Sequence, residues 1–166
     1  EKLALRIMKL LAEALGLNPH FFDKFFDIPI SALRALYYPE TGDNKLNNQK
    51  RAGSHTDYGS LTILLPEPEV GGLEIYNKGK WIPVLCQKDS FIVNLGDLME
   101  IWTSGRWKST LHRVEAYPNQ PPRKSIAFFH QPDWNSYILP IFGTNTHHKV
   151  QSGPYLMQRF LEANKN

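Results

Sequence analysis

The spacing of apolar residues is helical at both ends of the chain and extended between them. Over residues 1–17, apolar side chains recur every three or four positions, which predicts an amphipathic helix. A glycine and a proline shortly afterwards are expected to end it. The same spacing predicts a C-terminal helix over Pro154–Ala163, with shorter helical stretches around His20–Phe26 and Leu98–Trp107.

From Ala32 onwards, short apolar runs alternate with turn residues, and these runs are expected to be strands. Asn77–Lys80 lies between two of them and predicts a hairpin, whereas the polar stretch Glu40–Gly53 predicts a mobile loop. Many short strands with few helices between them are typical of an antiparallel sandwich or barrel. The expected strands are ALRALYYP, SLTILLP, GLEIY, KWIPV, SFIVNLG, LHRVEAY and SIAFFHQP.

The overall composition is that of a globular protein. The 166 residues suit one domain with a hydrophobic core, and hydrophobic and charged residues make up 42% and 21% of the chain. The net charge is +3, and the basic residues are scattered along the chain without forming a cluster, so we expect no nucleic-acid partner. No apolar run has the length of a membrane span, and no charged-then-apolar leader opens the chain. The single cysteine, Cys86, is expected to be buried and favours a reducing, cytoplasmic compartment.

A first candidate for chemistry is the sequence His55-Thr56-Asp57. Residues two apart on a strand point to the same face, so an imidazole and a carboxylate at this spacing can hold one metal ion side by side. The pair is a weak indication alone, because a chain with six histidines often contains one by chance.

A third ligand is available at His112, in another expected strand. An antiparallel fold can bring this strand opposite the first. Two histidines and one carboxylate on one side of a metal leave its other side open, which is the arrangement of non-haem Fe(II) oxygenases. Zinc with a bound water would accept the same ligands.

Arg123-Lys124-Ser125 is a second chemical signal, eleven residues after His112. On a strand, Arg123 and Ser125 share one face, where a guanidinium and a hydroxyl can bind a carboxylate. Phe129 shares that face and is expected to contact substrate or to pack in the core. His130 has the opposite parity and is expected to point away.

Taken together, these motifs resemble the isopenicillin N synthase-like branch of the Fe(II)/2-oxoglutarate-dependent oxygenases. The likeness rests on the order and spacing of His55-x-Asp57, His112 and Arg123-x-Ser125, and it extends over residues 33–133. Segments that look like family segments, in family order, are HTDYGSLTILL, GGLEIY, KWIPV, FIVNLGDLMEIWTSGRWKSTLHRV and RKSIAFFHQPD.

The resemblance implies a mostly β fold, a double-stranded β-helix (a cupin-like jelly roll) with flanking N- and C-terminal helices. It implies Fe(II) on His55, Asp57 and His112, and it implies that Arg123, Ser125 and Tyr38 bind the distal carboxylate of 2-oxoglutarate. The implied reaction is hydroxylation or desaturation of a small organic molecule with O2, releasing succinate and CO2. Ascorbate would be an optional reductant, and the protein is expected to be a monomer.

Within a single catalytic domain, we expect a helical lead-in over residues 1–31, a jelly-roll core over 32–140 and a C-terminal helical segment over 141–166. The N-terminal region of the family is expected to be absent. Leu36 departs from the asparagine that many members carry there, so one polar contact near the cosubstrate is expected to be missing or supplied by Arg34.

Two alternatives stay open at this point. One is an Fe(II) oxidase on the same scaffold that does not use 2-oxoglutarate, because isopenicillin N synthase and aminocyclopropane-carboxylate oxidase keep an Arg-x-Ser pair. The other is a non-catalytic jelly-roll module that binds a metal such as zinc.

Overall fold

The fold, taken from a computed structural model, is described for residues 1–43, 50–143 and 149–164. Helices lie at its two ends, and one short helix interrupts the strands. None of the helices in these ranges has the length and apolar character that a membrane crossing needs. The helices are α1 (Lys2–Ala14), α2 (Asp97–Trp102) and α3 (Ser152–Ala163), and a single 3-10 turn covers Asp23–Phe25.

Two four-stranded antiparallel sheets make up the body of the fold, which confirms the predicted jelly roll. Sheet 1 has the strand order β1-β8-β3-β6, and sheet 2 has the order β2-β7-β4-β5. The strands are β1 (Ala32–Tyr38), β2 (Lys50–His55), β3 (Leu61–Pro66), β4 (Leu73–Asn77), β5 (Lys80–Pro83), β6 (Ile92–Leu95), β7 (His112–Glu115), β8 (Arg123–His130), β9 (Tyr137–Ile138) and β10 (Val150–Gln151). The last two form a small separate ladder.

The main apolar core lies between sheet 1 and the helices rather than between the two sheets. Trp102 of α2 is 1% exposed, and the ring of Phe22 lies 5.0 Å from it, centroid to centroid. Helix α1 contributes the small buried residues Ala4 and Ala12 to the same cluster. Because this core supports sheet 1 from behind, the space between the sheets does not have to be filled and can hold ligands.

The predicted hairpin between β4 and β5 is confirmed. Lys78 and Gly79 have φ angles of 47° and 84°, as a two-residue turn with two left-handed positions requires. Asn77 and Lys80 face each other as the last ladder pair.

One prediction was wrong in its boundary. The loop expected over Glu40–Gly53 gives way to strand β2 at Lys50, because the backbone of Lys50 and Ala52 pairs with β7. The polar sequence of β2 shows no apolar alternation, so its strand character comes from this pairing rather than from a buried face. Residues 44–49 and the histidine pair His147–His148 lie outside the described residues.

Candidate metal and cosubstrate site

His55 and His112 meet across sheet 2, because β2 and β7 pair in a register that sets the two residues opposite each other. Their ring centroids are 4.3 Å apart. Asp57 was expected on the same strand as His55, but β2 ends at His55 and Asp57 lies in the loop that follows. The three side chains converge nevertheless, so the loop rather than strand alternation positions the carboxylate.

The three side chains present ligand atoms to one point. The Oδ1 atom of Asp57 lies 3.9 Å from Nε2 of His55 and 3.9 Å from Nε2 of His112. Within the described ranges, these residues are the one group of metal-binding side chains whose ligand atoms all lie within 4.8 Å of one another. Asp57 is 6% exposed, whereas the His55 side chain is 43% exposed, so the site opens on the His55 side.

The backbone orients both imidazoles. Nδ1 of His55 lies 2.8 Å from the carbonyl oxygen of Gly53, and Nδ1 of His112 lies 2.9 Å from that of Thr110. A carbonyl oxygen can only accept, so each Nδ1 carries the proton and each Nε2 keeps its lone pair for a metal. Both histidines are therefore held by a backbone carbonyl in the tautomer that metal binding through Nε2 requires.

The Asp57 carboxylate is oriented by two side chains that sequence reasoning did not identify. Thr62 Oγ1 donates to its Oδ2 atom at 2.6 Å, and Asn94 Nδ2 donates to the same atom at 2.8 Å. With Oδ2 bound on one side, Oδ1 is left facing the histidines. The available sequence signal was a polar residue, Asn94, inside the otherwise apolar run FIVNL.

A close backbone approach fixes the loop that carries Asp57. The amide of Gly96 donates to the carbonyl oxygen of Ser60 at 3.0 Å, and the amide of Asp97 donates to that of Asp57 at 2.8 Å. A Cβ atom on Gly96 would touch the carbonyl oxygens of Gly59 and, at 2.9 Å, of Asp57. Only glycine fits this contact without displacing the loop.

Between the two sheets lies an open cavity of about 670 Å³ with the metal-site residues on its wall. The predicted cosubstrate residues line the same cavity. Tyr38 of β1 is the cross-strand partner of Arg123 on β8, and the Arg123 guanidinium lies 5.4 Å from the Tyr38 ring centroid. The side chains of Arg123 and Ser125 share one face, as their spacing predicted, and Arg123 Nη1 donates to Ser125 Oγ at 3.3 Å.

Arg123 is a buried cation that lacks an anion among the described residues. It is 1% exposed, and its Nε and Nη2 atoms are buried without a hydrogen-bond partner there. A buried charge left in this state is costly, so the arrangement fits a carboxylate ligand that enters the cavity. Arg51 is a second cation close to Arg123, and burial together with the Arg123 guanidinium lowers the pKa of Arg51. The sequence offered no signal for Arg51.

The remaining expectations concern the cavity wall. Phe129 lines the cavity on the same face as Arg123, and His130 points the other way into the core, where its Nδ1 lies 2.9 Å from Ser60 Oγ. Leu36 lines the cavity as an apolar residue. Asn94 provides an amide on this wall, whereas Arg34 lines a different cavity, so the suggested replacement by Arg34 was wrong.

The donor set fits Fe(II). Two imidazole nitrogens and one carboxylate oxygen on one side of an ion leave the positions that a chelating 2-oxo acid and O2 would need. The donor residues and Arg123 line one cavity, so a dicarboxylate that binds the metal with one end can extend towards the Arg123 guanidinium with the other.

Comparison with known proteins gives a consistent result. The sequence matches the family described as the 2OG-Fe(II) oxygenase superfamily over residues 29–132. The 2-oxoglutarate-dependent dioxygenase caaD of Aspergillus niger is 43% identical over 117 residues, which are 68% of this chain and 35% of that protein. The oxoglutarate-dependent flavonoid 7-O-demethylase 1 of Ocimum basilicum is 38% identical over 140 residues, which are 84% of this chain and 37% of that protein.

A solved structure shares the fold. A full-length protein of Neurospora crassa, crystallised in complex with alpha-KG, superposes with a TM-score of 0.88 at 35% identity, covering 96% of this chain and 53% of that one. The chain therefore spans about a third to about half of the length of these relatives. Because the family match covers more than half of the residues, the chain belongs to the 2OG-Fe(II) oxygenase superfamily.

Proposed function

We propose that this protein catalyses the Fe(II)- and 2-oxoglutarate-dependent oxidation of a small organic molecule, by hydroxylation or desaturation, with release of succinate and CO2. Family membership supports this reaction, as does the likeness to a protein crystallised with alpha-KG. The observation that carries the proposal is the juxtaposition, in one cavity, of the His55, Asp57 and His112 ligand atoms with the buried guanidinium of Arg123, which has no anionic partner among the described residues.

In this proposal each residue has one role. His55, Asp57 and His112 hold the iron, and Arg123 and Ser125 bind the distal carboxylate of 2-oxoglutarate with help from Tyr38. Bound iron, with 2-oxoglutarate and O2, supplies the oxidant that attacks a C–H bond of the substrate.

The protein itself contributes orientation and exclusion of water. Thr62 and Asn94 hold Oδ2 of Asp57, so the negative charge on Oδ1 stays directed at the metal position. The Gly53 carbonyl keeps the proton of His55 on Nδ1. Apolar side chains such as Leu64 and Val114 line the cavity and keep its dielectric constant low, which strengthens the attraction between Arg123 and a carboxylate.

The test is O2 uptake and succinate release by the iron-loaded protein, measured with and without 2-oxoglutarate. We expect both signals to require 2-oxoglutarate and Fe(II). O2 uptake that needs iron but not 2-oxoglutarate would instead support the oxidase alternative. Retention of zinc without any turnover of 2-oxoglutarate would support a non-catalytic metal-binding module.

Three finer features belong to the same proposal. We infer a cytoplasmic location, since the single cysteine suits a reducing compartment. We also infer a small-molecule substrate, because the Neurospora crassa protein has been crystallised with alpha-KG and thymine. A monomeric state and stimulation by ascorbate complete the proposal, and size-exclusion chromatography and succinate release with and without ascorbate test them.

A further inference from the structure

A second cavity, of about 920 Å³, opens on the other side of the metal site. His55, Asp57 and Phe129 line both cavities, so the proposed iron position lies where the two meet. Helix α3 forms the outer wall of the second cavity through Leu156 and Phe160. Since the first cavity accounts for the cosubstrate, the second is the space in which a substrate can reach the metal.

Helix α3 is linked to the loop that carries Asp57 through Asp97, the first residue of α2. The Tyr155 hydroxyl donates to Oδ2 of Asp97 at 3.0 Å, and Arg159 Nε lies 3.4 Å from the same oxygen. The Asp97 amide in turn donates to the Asp57 carbonyl oxygen. The outer wall is therefore fixed relative to the metal ligands, and the cavity is a built feature of the fold.

Arg34 on β1 brings a guanidinium to this cavity. The side chain is exposed and lies over the Phe129 ring, 5.6 Å from its centroid. Among the described residues, Arg34 has no carboxylate within ion-pair distance and no side-chain hydrogen bond. Asp57 is the one acidic residue on the described wall of this cavity, and its charge is directed at the metal position. The guanidinium fork is thus available to oxygen atoms of a ligand.

Gln131 is a second, independent polar group in the cavity. It is 3% exposed, and its Oε1 atom is buried without a hydrogen-bond partner in the described part of the chain. Buried side-chain amides are nearly always hydrogen-bonded in native proteins. Because Oε1 only accepts hydrogen bonds, its missing partner is a donor, which an N–H or O–H group of a ligand in the cavity would supply.

Resting on the proposed function, we propose that the substrate presents acceptor oxygens to Arg34, and that Arg34 and Gln131 together determine substrate specificity. The apolar or ring-shaped remainder of the molecule packs against Phe129 and Phe160. Carboxylate oxygens and ring carbonyl oxygens share this acceptor chemistry. The two groups can be distinguished by their charge. A carboxylate needs the positive charge of Arg34, whereas a ring carbonyl needs only a hydrogen-bond donor.

The experiment uses ligand probes rather than turnover. Equilibrium binding to the Fe(II)- and 2-oxoglutarate-loaded protein is measured under anaerobic conditions by calorimetry, with phenylacetate, its methyl ester and uracil. Wild type is compared with Arg34→Gln and Arg34→Lys. The matched control is Arg106→Gln, since Arg106 also lies over a phenylalanine ring, at 3.9 Å from Phe142, but lines neither cavity.

We expect at least one probe to bind wild type and the Arg106→Gln control equally well. If the substrate is a carboxylate, phenylacetate binds better than its ester, Arg34→Gln weakens it about tenfold to a hundredfold, and Arg34→Lys retains most of the affinity. If the recognised group is a ring carbonyl, uracil is the probe that binds, and Arg34→Lys weakens it because the fork geometry is lost.

Unchanged affinity for every probe in Arg34→Gln would overturn the proposal, and so would a wild-type protein that binds none of them. Gln131→Glu is the second variant, and we expect it to weaken phenylacetate more than the methyl ester through charge repulsion. Failure of the proposed function can be distinguished from failure of this substrate proposal. In that case wild type and Arg106→Gln would neither bind 2-oxoglutarate nor release succinate.

Discussion

His55 and His112 are direct cross-strand partners, and each places its Nε2 atom 3.9 Å from the same oxygen of Asp57. Two rings held this way can bind one metal ion jointly, so we expect His112→Ala to lower Fe(II) affinity by at least a hundredfold. Anaerobic calorimetric titration with Fe(II) measures it. The control is His20→Ala, because His20 is exposed and bonded to Asp23 away from the site. Equal Fe(II) affinity in His112→Ala and wild type would refute the ligand assignment.

Thr62 orients the carboxylate of Asp57, a proposed metal ligand. Thr62→Val keeps the shape but removes the donor 2.6 Å from Oδ2, so the carboxylate can rotate away from the metal position. We expect metal affinity to fall about tenfold to a hundredfold, as is usual when a residue that orients a ligand is lost. Fe(II) titration of Thr62→Val is compared with Ser90→Ala, which removes a hydroxyl bonded to a backbone carbonyl in an exposed loop. An affinity equal to that of the control would contradict this role.

Arg123 and its neighbour Lys124 form an internal comparison, since one is buried in the cavity and the other is exposed on the opposite face. We expect Arg123→Ala to raise the KM for 2-oxoglutarate at least tenfold, because the distal carboxylate would lose its charged partner. Lys124→Ala is expected to leave this KM unchanged. Succinate release as a function of 2-oxoglutarate concentration measures both variants. If the KM does not change in Arg123→Ala, the carboxylate binds elsewhere.

Gly96 supports the Asp57 loop through a contact that leaves no room for a side chain. We expect Gly96→Ala to destabilise the fold by about 1–3 kcal/mol, because the added methyl group must push the loop aside. Metal affinity should fall with it, since Asp57 moves. Thermal unfolding and Fe(II) titration test both effects. Gly71→Ala is the control, because a Cβ atom there meets nothing within 4 Å.

His130 makes stability depend on pH. Burial lowers the pKa of His130 from 6.5 to about 4. Between these values the unfolded chain binds a proton that the folded chain does not, so stability is present above pH 6.5 and is lost as the pH falls towards 4. At pH 5 the loss relative to pH 7 is roughly 2 kcal/mol. Urea unfolding of the metal-free protein at both pH values should show it.

The variant His130→Gln isolates this effect. Glutamine can still bond to Ser60 but does not titrate, so the difference in stability between pH 7 and pH 5 should shrink. All other residues are the same in both proteins, so the comparison isolates the contribution of His130. An identical pH dependence in the two proteins would mean that His130 is already accessible to protons.

Most strands and the shared face of Arg123 and Ser125 could be predicted from the sequence, because they follow the local rule of alternation. That His55, Asp57 and His112 bind a metal stays a prediction. The alternation in RKSIAFFH correctly assigned Arg123, Ser125 and Phe129 to the cavity face of β8 and His130 to the other. A strand without a buried apolar face could not be predicted from the sequence. Strand β2 has no apolar alternation, and its start at Lys50 became visible only through pairing with β7.

Residues that act through other residues were also beyond sequence reasoning. Thr62 lies on β3 and Asn94 on β6, whereas Asp57 lies in a loop, and a polar Asn94 in an apolar run does not indicate which residue it contacts. Their role depends on the three-dimensional distance between a loop and the face of a sheet. The same holds for Gly96, whose importance lies in a backbone contact with residues 57–59.

The attachment of Asp57 has a consequence for the integrity of the fold. Its side chain is bound by Thr62 and Asn94 of sheet 1, whereas His55 and His112 belong to sheet 2. A metal ion held by all three would therefore crosslink the two sheets, and its binding free energy would add to the free energy of unfolding. We expect a chelator to lower the melting temperature of wild type but not of His112→Ala. A cell starved of iron would then lose folded protein along with activity.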